Sequence, residues 1–405
     1  MTRSTGRTCS RVIALCTAAS LLSTVSGAVT AAAVPRHRPP CARTEGRPRG
    51  AAAEVLGIVR EARRELDLKA ALVRVTVDGR ELVTGAAGES MAGVPVTPAM
   101  HFRIGSVAIA YLGTILLQLV DEHRVGLDDP VSHWLPGLPH GDEITLRMLG
   151  DSTSGLHDYV TDPEFVKKLY ADPFRQWTPR ELVGISTSHP LWYEPGTNWS
   201  YSHANFVLLG RALEKITGTP LDRLVRARVL DRLKLTQTRN GVTPQIPHPV
   251  LHAYDDERGP YEESTYWNPS WTTAPGAVLT GDICDLARSA QGIGSGELLS
   301  RRSYRVQLNP GTVGLGTPTA TCPATVCLPQ TRAFHFGIGV IVRNDWVLQN
   351  PSFAGYAAVQ AYLPAERLAI AVSTTTGPGA PDSNTAQTIA ERIAAALAPK
   401  HPLGG

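Results

Sequence analysis

Apolar and polar residues follow different periods in different parts of this chain. Apolar residues recur at helical spacing from Val55 to Leu66, so residues 51–67 are predicted to form an amphipathic helix. The next segment, ALVRVTVDG, alternates apolar and polar positions and turns at Asp78-Gly79. RELVTGAAG then returns with the same alternation. Alternation on both sides of an Asp-Gly turn predicts a β-hairpin.

The pattern becomes helical from residue 106 to about 275, where loops rich in proline and glycine interrupt it, and it returns to strands near the C-terminus. The late strand candidates are HFGIGVIVR, AAVQAYLP and LAIAVSTTT, and TAQTIAERIAAALA is predicted to be a closing helix. These elements predict an α+β domain over residues 51–400, with one antiparallel sheet built from both ends of the chain and flanked by the terminal helices. The sheet lobe is expected over 51–105 and 275–400, and an all-helical lobe over 106–274.

The first 33 residues have the features of a secretory signal peptide. Arg3, Arg7 and Arg11 precede the apolar run VIALCTAASLLSTV, and small residues end in three alanines at Ala33. A membrane anchor would need roughly 18 or more apolar residues, and this run is shorter. We therefore expect a secreted protein without a transmembrane anchor, for which association with the cell wall stays open.

Charge and cysteine content change the picture after the signal peptide. Cleavage after Ala33 removes three arginines and no acids, so the formal net charge falls from +3 to 0, and no nucleic-acid partner is expected. Residues 34–50, rich in proline and arginine, are expected to be a disordered leader.

Four cysteines remain after cleavage, at positions 41, 284, 322 and 327. An oxidising compartment favours disulfides over a metal site, and three connectivities are open.

Several segments carry more specific information, in one order along the chain. They are FRIGSVAIAYLG, STSGLHDY, EPGTNWSYSHANFVLLGRALEKITG, NPSW followed by GAVLTGDICDLAR, and GYAAVQAYLP. Together they resemble the serine β-lactamase and penicillin-binding protein family over residues 52–398. The resemblance is closest to secreted D-alanyl-D-alanine carboxypeptidases and class C β-lactamases. It implies the β-lactamase/DD-peptidase fold and acyl transfer through a serine acyl-enzyme, with no cofactor and no metal.

The first two motifs of that family are only partly present. Its S-x-x-K motif places a serine nucleophile and a lysine base on one face of a helix. Ser106 matches the serine, but Ile109 stands where the lysine is expected. In the family's Y-x-N motif, Tyr201 matches the tyrosine, whereas His203 replaces the asparagine.

The third motif, H-x-G or K-T-G on an edge strand, is located by register from GYAAVQAYLP. The count places Gln349, Asn350 and Pro351 on its three positions, and proline lacks the N–H that an edge strand offers to a substrate. The Ser352 amide could complete an oxyanion hole. Trp271 is expected either to line the cleft or to serve in packing. With Ile109, the residues Gln349, Asn350, Ser352 and Trp271 are the candidate binding positions.

No other part of the sequence restores the missing base. None of the six lysines lies three residues after a serine. His335 begins an H-x-G sequence, but it falls where the family has an aromatic-Gly-x-Gly strand opening, so we interpret it as structural.

Two functional hypotheses follow. Isoleucine cannot accept a proton, and loss of a general base typically costs about 10²–10⁴ in rate. The first hypothesis is a pseudoenzyme that binds peptidoglycan-type peptides or β-lactam-like ligands. The alternative is a re-wired serine hydrolase or acyltransferase that uses Ser106 with Tyr201 and His203, because His203 titrates near neutral pH. Asp151 is one candidate to orient His203. The sequence leaves the oligomeric state open.

Overall fold

A large antiparallel sheet dominates the part of the chain that the computed structural model describes, residues 41–404. The predicted signal peptide lies outside the described residues. The α-helices are α1 (Ala51–Glu65), α2 (Val107–Asp121), α3 (Leu146–Asp151), α4 (Pro163–Ala171), α5 (Pro179–Thr187), α6 (His203–Thr217), α7 (Leu221–Val225), α8 (Ile283–Gly294), α9 (Arg301–Leu308) and α10 (Thr385–Leu397). The strands are β1 (Leu68–Val77), β2 (Arg80–Met91), β3 (Val94–Pro95), β4 (Phe102–Arg103), β5 (Arg239–Gly241), β6 (Tyr254–Asp255), β7 (Glu262–Glu263), β8 (Val278–Gly281), β9 (Phe334–Phe336), β10 (Ile341–Arg343), β11 (Trp346–Gln349), β12 (Ser352–Phe353), β13 (Tyr356–Leu363) and β14 (Leu368–Thr376).

The two ends of the chain meet in the main sheet, as the sequence predicts. Its strand order is β3-β2-β1-β14-β13-β11-β10-β9, and β12 pairs with β13 beside this path. Val73 of β1 lies opposite Gly85 of β2 on one side and opposite Val372 of β14 on the other, and both pairings are antiparallel. The predicted hairpin turn at Asp78 and Gly79 has positive φ at both residues, 53° and 73°, as a tight two-residue hairpin turn requires.

Alternate strand residues face two separate cores, because successive side chains in a strand point to opposite faces. Val73 and Val75 of β1 pack in a core with α1 and α10, whereas Leu72 packs in the larger core that includes α2 and α8. The terminal helices therefore cover one face of the sheet, and α8 together with the helical part of the molecule covers the other. This arrangement confirms the predicted α+β class.

The segment HFGIGVIVR, predicted as one strand, forms two. Phe336 of β9 lies opposite Ile341 of β10, and the chain turns through Gly339, which has a φ of +72°. A Cβ at Gly339 would lie 2.4 Å from the carbonyl oxygen of Ile109 in α2. The turn is therefore pressed against the helix that follows Ser106, a contact between distant segments that the local pattern does not contain.

Helices and strands are less cleanly divided between the two lobes than the sequence suggests. The short strands β5, β6 and β7 lie within 106–274, and β5 joins β4 and β8 in a small three-stranded sheet. Conversely, α8 and α9 lie within 275–400, where α8 contacts β13 and β14.

The described part of the predicted leader, residues 41–50, is fixed to the body rather than free of it. A disulfide joins Cys41 to Cys284 at the start of α8, and Thr44 donates its backbone N–H to Thr84 of β2. A second disulfide closes the short loop between Cys322 and Cys327. No helix among residues 41–404 is both long enough and apolar enough to cross a membrane.

Candidate active site

Ser106 stands directly before α2, a helix whose residues 107–119 are all buried. Gly105 precedes it with a φ of +27°, and the Ser106 carbonyl accepts the backbone N–H of Ile109 at 2.9 Å. The Ser106 side chain makes no capping hydrogen bond to its own helix. Its hydroxyl is therefore available to the space above the helix N-terminus, as a nucleophile requires.

Tyr201 supplies the side-chain contact to Ser106. The Tyr201 hydroxyl lies close enough to the Ser106 hydroxyl to interact with it, and Tyr201 comes from the loop that leads into α6. Burial and the neighbouring charge of Asp158 raise the pKa of Tyr201 well above its usual value, and the nearby Ser106 hydroxyl only partly opposes them. Tyr201 therefore stays protonated at neutral pH and cannot serve as a tyrosinate base.

His203, the first residue of α6, is paired with Asp158. Its Nδ1 lies 3.0 Å from Asp158 Oδ2, and its backbone N–H donates to Asp158 Oδ1 at 3.1 Å. Because a carboxylate only accepts hydrogen bonds, Nδ1 carries the proton and Nε2 is the basic nitrogen of the neutral ring. The His203 ring contacts the Tyr201 ring edge-on, with centroids 5.0 Å apart.

Asp151, the candidate orienting group, is engaged elsewhere. It is buried and accepts hydrogen bonds from the Thr153 hydroxyl at 2.7 Å and the Thr153 N–H at 3.2 Å. Burial raises the pKa of Asp151 to about 7. Asp158 is thus the carboxylate that holds His203.

The side chains at the first two positions of the third motif are already hydrogen-bonded, and the third position is a proline. Gln349 donates its Nε2–H to the Gly339 carbonyl at 2.6 Å, and Asn350 donates to Gln387 of α10 at 2.6 Å. Pro351 lies against the nucleophile's turn, since a Cβ at Gly105 would be 3.0 Å from Pro351 Cβ. A proline in this position offers no N–H to a ligand.

A cavity of about 120 Å³ opens beside Ser106. It is lined by Ser106, Trp199, Tyr201, Gln330, Phe334, Phe336, Ile341 and Gln349. Of the sequence candidates, the structure therefore brings together Ser106, Tyr201 and Gln349. Ile109 does not line this cavity, because its side chain is 1% exposed in the core.

Five residues of this cavity escaped the sequence analysis. They are Trp199, Gln330, Phe334, Phe336 and Ile341. Phe336 lies within the aromatic-Gly-x-Gly opening, which was the available signal. His335 beside it is structural, because its ring nitrogens lie 3.0 Å from the Thr331 carbonyl oxygen and 2.9 Å from that of Leu308.

A second, separate cavity of about 250 Å³ contains two further sequence candidates, Ser352 and Trp271. Its other walls include Phe353, Trp267 and a group of acidic residues, among them Asp255, whose pKa is raised to about 6 by burial. Within residues 41–404, no residue lines both cavities. Trp271 and Ser352 are thus placed outside the lining of the Ser106 cavity.

One group among the described residues has the spacing of metal ligands, Cys41 with Asp282 and Cys284. Its two sulfur atoms are joined in the disulfide, so neither can act as a thiolate ligand.

A serine before a buried helix, a tyrosine beside it, and a sheet flanked by terminal helices define a protein with the β-lactamase and penicillin-binding protein fold. The beta-lactamase family model matches residues 56–395. The chain therefore belongs to the beta-lactamase family.

Individual relatives share part of the sequence. A Bacillus subtilis protein named penicillin-binding protein PbpX is 26% identical over 227 residues, 54% of this chain and 54% of its own. An Escherichia coli protein named as a D-alanyl-D-alanine carboxypeptidase is 28% identical over 153 residues, 36% of this chain and 35% of its own. The chain thus aligns with about half or less of the length of these relatives.

Solved structures match over a larger part of the chain. A D-stereospecific amidohydrolase from Streptomyces sp. has a TM-score of 0.71 and 27% identity, covering 86% of this chain and 99% of that one. EstCE1, a hydrolase with promiscuous acyltransferase activity, has a TM-score of 0.65 and 21% identity, covering 85% and 98%. The second likeness concerns the fold alone.

Proposed function

We propose that this chain is an exported, catalytically impaired member of the beta-lactamase family that binds small ligands at Ser106 without turning them over. The observation that carries the proposal is the absence of a base among the residues within 41–404 that line the Ser106 cavity. Tyr201, which contacts the serine hydroxyl, has a raised pKa, and Ile109 occupies the lysine position inside the core. Losing one member of a cooperating catalytic set can cost about 10⁶ in rate.

The ligand class follows from what the relatives are named for. Penicillin-binding proteins, D-alanyl-D-alanine carboxypeptidases and a D-stereospecific amidohydrolase are among them. We propose peptidoglycan-type peptides or β-lactam-like molecules as ligands for this chain. Export is supported by the basic and apolar pattern of residues 1–33 and by two disulfides, which persist in oxidising compartments.

A re-wired serine hydrolase is the second candidate, and the His203–Asp158 pair favours it. A carboxylate that holds Nδ1 leaves Nε2 as a base, which is the division of roles in a Ser-His-Asp triad. His203 does not line the Ser106 cavity, so the proton would have to pass through Tyr201.

Hydrolysis assays distinguish the two candidates. The mature protein would be tested with a p-nitrophenyl ester, a D-amino acid p-nitroanilide and a chromogenic cephalosporin, beside Ser106→Ala and His203→Ala. We expect the same background rate from all three proteins. Turnover that disappears in Ser106→Ala would overturn the proposal. His189→Ala is the matched control, because His189 also pairs with a carboxylate, Asp162 at 3.1 Å, and does not line the cavity.

A further inference from the structure

We infer that the Ser106 cavity selects an uncharged, apolar group about as large as a phenyl ring and excludes a carboxylate. The inference rests on the proposed function in one respect, that this cavity is where a ligand binds. It narrows the ligands to neutral amides and esters rather than peptides or lactams that present a free acid at this point.

The cavity wall carries no positive charge. Among the described residues that line it, none is lysine, arginine or histidine, and half are Trp199, Phe334, Phe336 and Ile341, all apolar or aromatic. A carboxylate entering the cavity would lose its water without meeting a cation. Burial of an unpaired charge is strongly unfavourable.

The amide and indole donors of the wall already bond in part to the backbone. Gln349 Nε2 donates to the Gly339 carbonyl at 2.6 Å, and Gln330 Nε2 donates to the Leu328 carbonyl at 2.8 Å. Trp199 Nε1 donates to the Asp151 carbonyl at 2.9 Å. The indole N–H is therefore not free for a carboxylate, and the second N–H of each glutamine is a neutral donor that does not balance a buried negative charge. The Ser106 and Tyr201 hydroxyls are likewise neutral, and they can donate to one carbonyl.

Nearby charge acts in the same direction. Asp158 is close enough to raise the pKa of Tyr201, so its negative charge is felt at the cavity wall. This charge repels an anion and leaves a neutral amide or ester unaffected. The replacement of the third-motif histidine or lysine by Gln349 removes the cation that would offset it.

Size defines the occupant further. An apolar cavity of about 150 Å³ binds benzene when it is lined by hydrophobic side chains. The Ser106 cavity, about 120 Å³ and open at Phe334, matches one aromatic ring or one branched alkyl group. Larger parts of a ligand would lie outside it.

The test uses two single-ring ligands that differ in charge and hardly in shape, benzamide and benzoate, because their polar group must enter or adjoin the cavity together with the ring. Dissociation constants would be measured by NMR titration of the mature protein at pH 7. We expect the amide to bind about 10- to 100-fold more tightly than the acid. Equal affinity, tighter binding of the acid, or no binding of either ligand would overturn the inference.

Two arginine variants assign the preference to the cavity. Phe334→Arg adds a cation at the cavity wall, at a position that is 39% exposed, and should reduce the preference about tenfold. Leu328→Arg adds the same charge at a position that is 42% exposed and does not line the cavity, so the preference should stay as in the native protein. Equal changes in both variants would contradict a local origin.

The same spectra separate this inference from the proposed function. Release of the free acid from the amide by the native protein, but not by Ser106→Ala, would show turnover and overturn the proposed lack of catalysis while leaving the preference intact. Equal binding of both ligands without turnover would overturn only the preference.

Discussion

Two polar pairs lie side by side near the starts of two helices, and they differ in what they offer. Ser106 directly precedes α2 and is paired with Tyr201 from the loop before α6, which gives a candidate nucleophile without a base in its pair. His203 opens α6 and is paired with Asp158, which gives an oriented imidazole outside the lining of the Ser106 cavity. The rings of Tyr201 and His203 contact each other edge-on. The comparison teaches that a serine, a histidine and a carboxylate can be close neighbours without lining one cavity.

The difference between the pairs has a structural cause. Asp158 accepts the backbone N–H of His203 at 3.1 Å and that of Val160 at 3.3 Å, so it bridges two chain segments near the N-terminus of α6. A carboxylate at that end of a helix is stabilised by unpaired N–H groups and the helix dipole. The His203–Asp158 pair therefore has a structural role that does not depend on catalysis. Ser106 has no such capping role.

The largest loss of stability is expected when a base is introduced next to the first pair. Ile109→Lys places an amine where the family has one, but residue 109 is fully buried in the core. We expect the free energy of unfolding to fall by about 3–5 kcal/mol, because an unpaired charge would be buried. Ile109→Met, similar in size and neutral, should cost less than about 1.5 kcal/mol. Urea denaturation measures both, and equal stability of the two variants would contradict the burial of this site.

The next largest loss of stability is expected when the carboxylate is removed from the second pair. Asp158→Ala leaves two backbone N–H groups and the His203 ring without their acceptor, so the free energy of unfolding should fall by about 2–3 kcal/mol. Asp158→Asn keeps one acceptor oxygen and should lose less. An unchanged melting temperature of Asp158→Ala in thermal unfolding would contradict the structural role of the pair.

Asp151, the buried carboxylate that holds no histidine, should make the stability of the protein depend on pH. Its pKa is about 7 in the folded protein, against 3.8 as its ordinary value, so the folded state retains a proton that the unfolded state has released. The resulting stabilisation is complete below pH 4 and is lost as the pH rises through 7. We therefore compare the free energy of unfolding of Asp151→Asn with that of the native protein at each pH. The variant's value minus the native value should be on the order of 1–3 kcal/mol larger at pH 8 than at pH 4. Denaturation curves at both values measure this, and the exposed Asp382→Asn should show no such difference.

The smallest effect tests whether the pairs are separate. A double-mutant cycle of Ser106→Ala with Tyr201→Phe should give a coupling of about 0.5–1.5 kcal/mol, because the two hydroxyl groups are close enough to interact. The same cycle of Ser106→Ala with His203→Ala should give a coupling near zero. Comparable coupling in both cycles would mean that His203 and Ser106 act together.

Local patterns were sufficient to predict the main elements of the fold. Alternation and the Asp-Gly turn predict β1 and β2, and the helical period predicts α1 and α10 within two residues at either end. The turn between β9 and β10 was missed, because it depends on the close contact of Gly339 with Ile109, more than 200 positions away. Such a contact leaves no local trace in hydrophobicity.

The sequence predicted several of the residues that belong to the site, and it predicted their positions relative to one another less well. Family motifs located Ser106, Tyr201 and Gln349, which do line one cavity. They could not locate Trp199 or Phe334, whose apolar character resembles that of core residues. Nor could they choose Asp158 over Asp151 for His203, because that choice depends on where a loop 45 positions earlier returns to the helix start.

Intact mass spectrometry after incubation with a fluorophosphonate, and separately with a penicillin, tests the central claim most directly. The native protein, Ser106→Ala and His203→Ala would be compared. We predict an unchanged mass for all three, because none of the described residues that line the cavity is a base for the Ser106 proton. A mass increase in the native protein that is lost in both variants would contradict this account, since it would show that His203 activates Ser106.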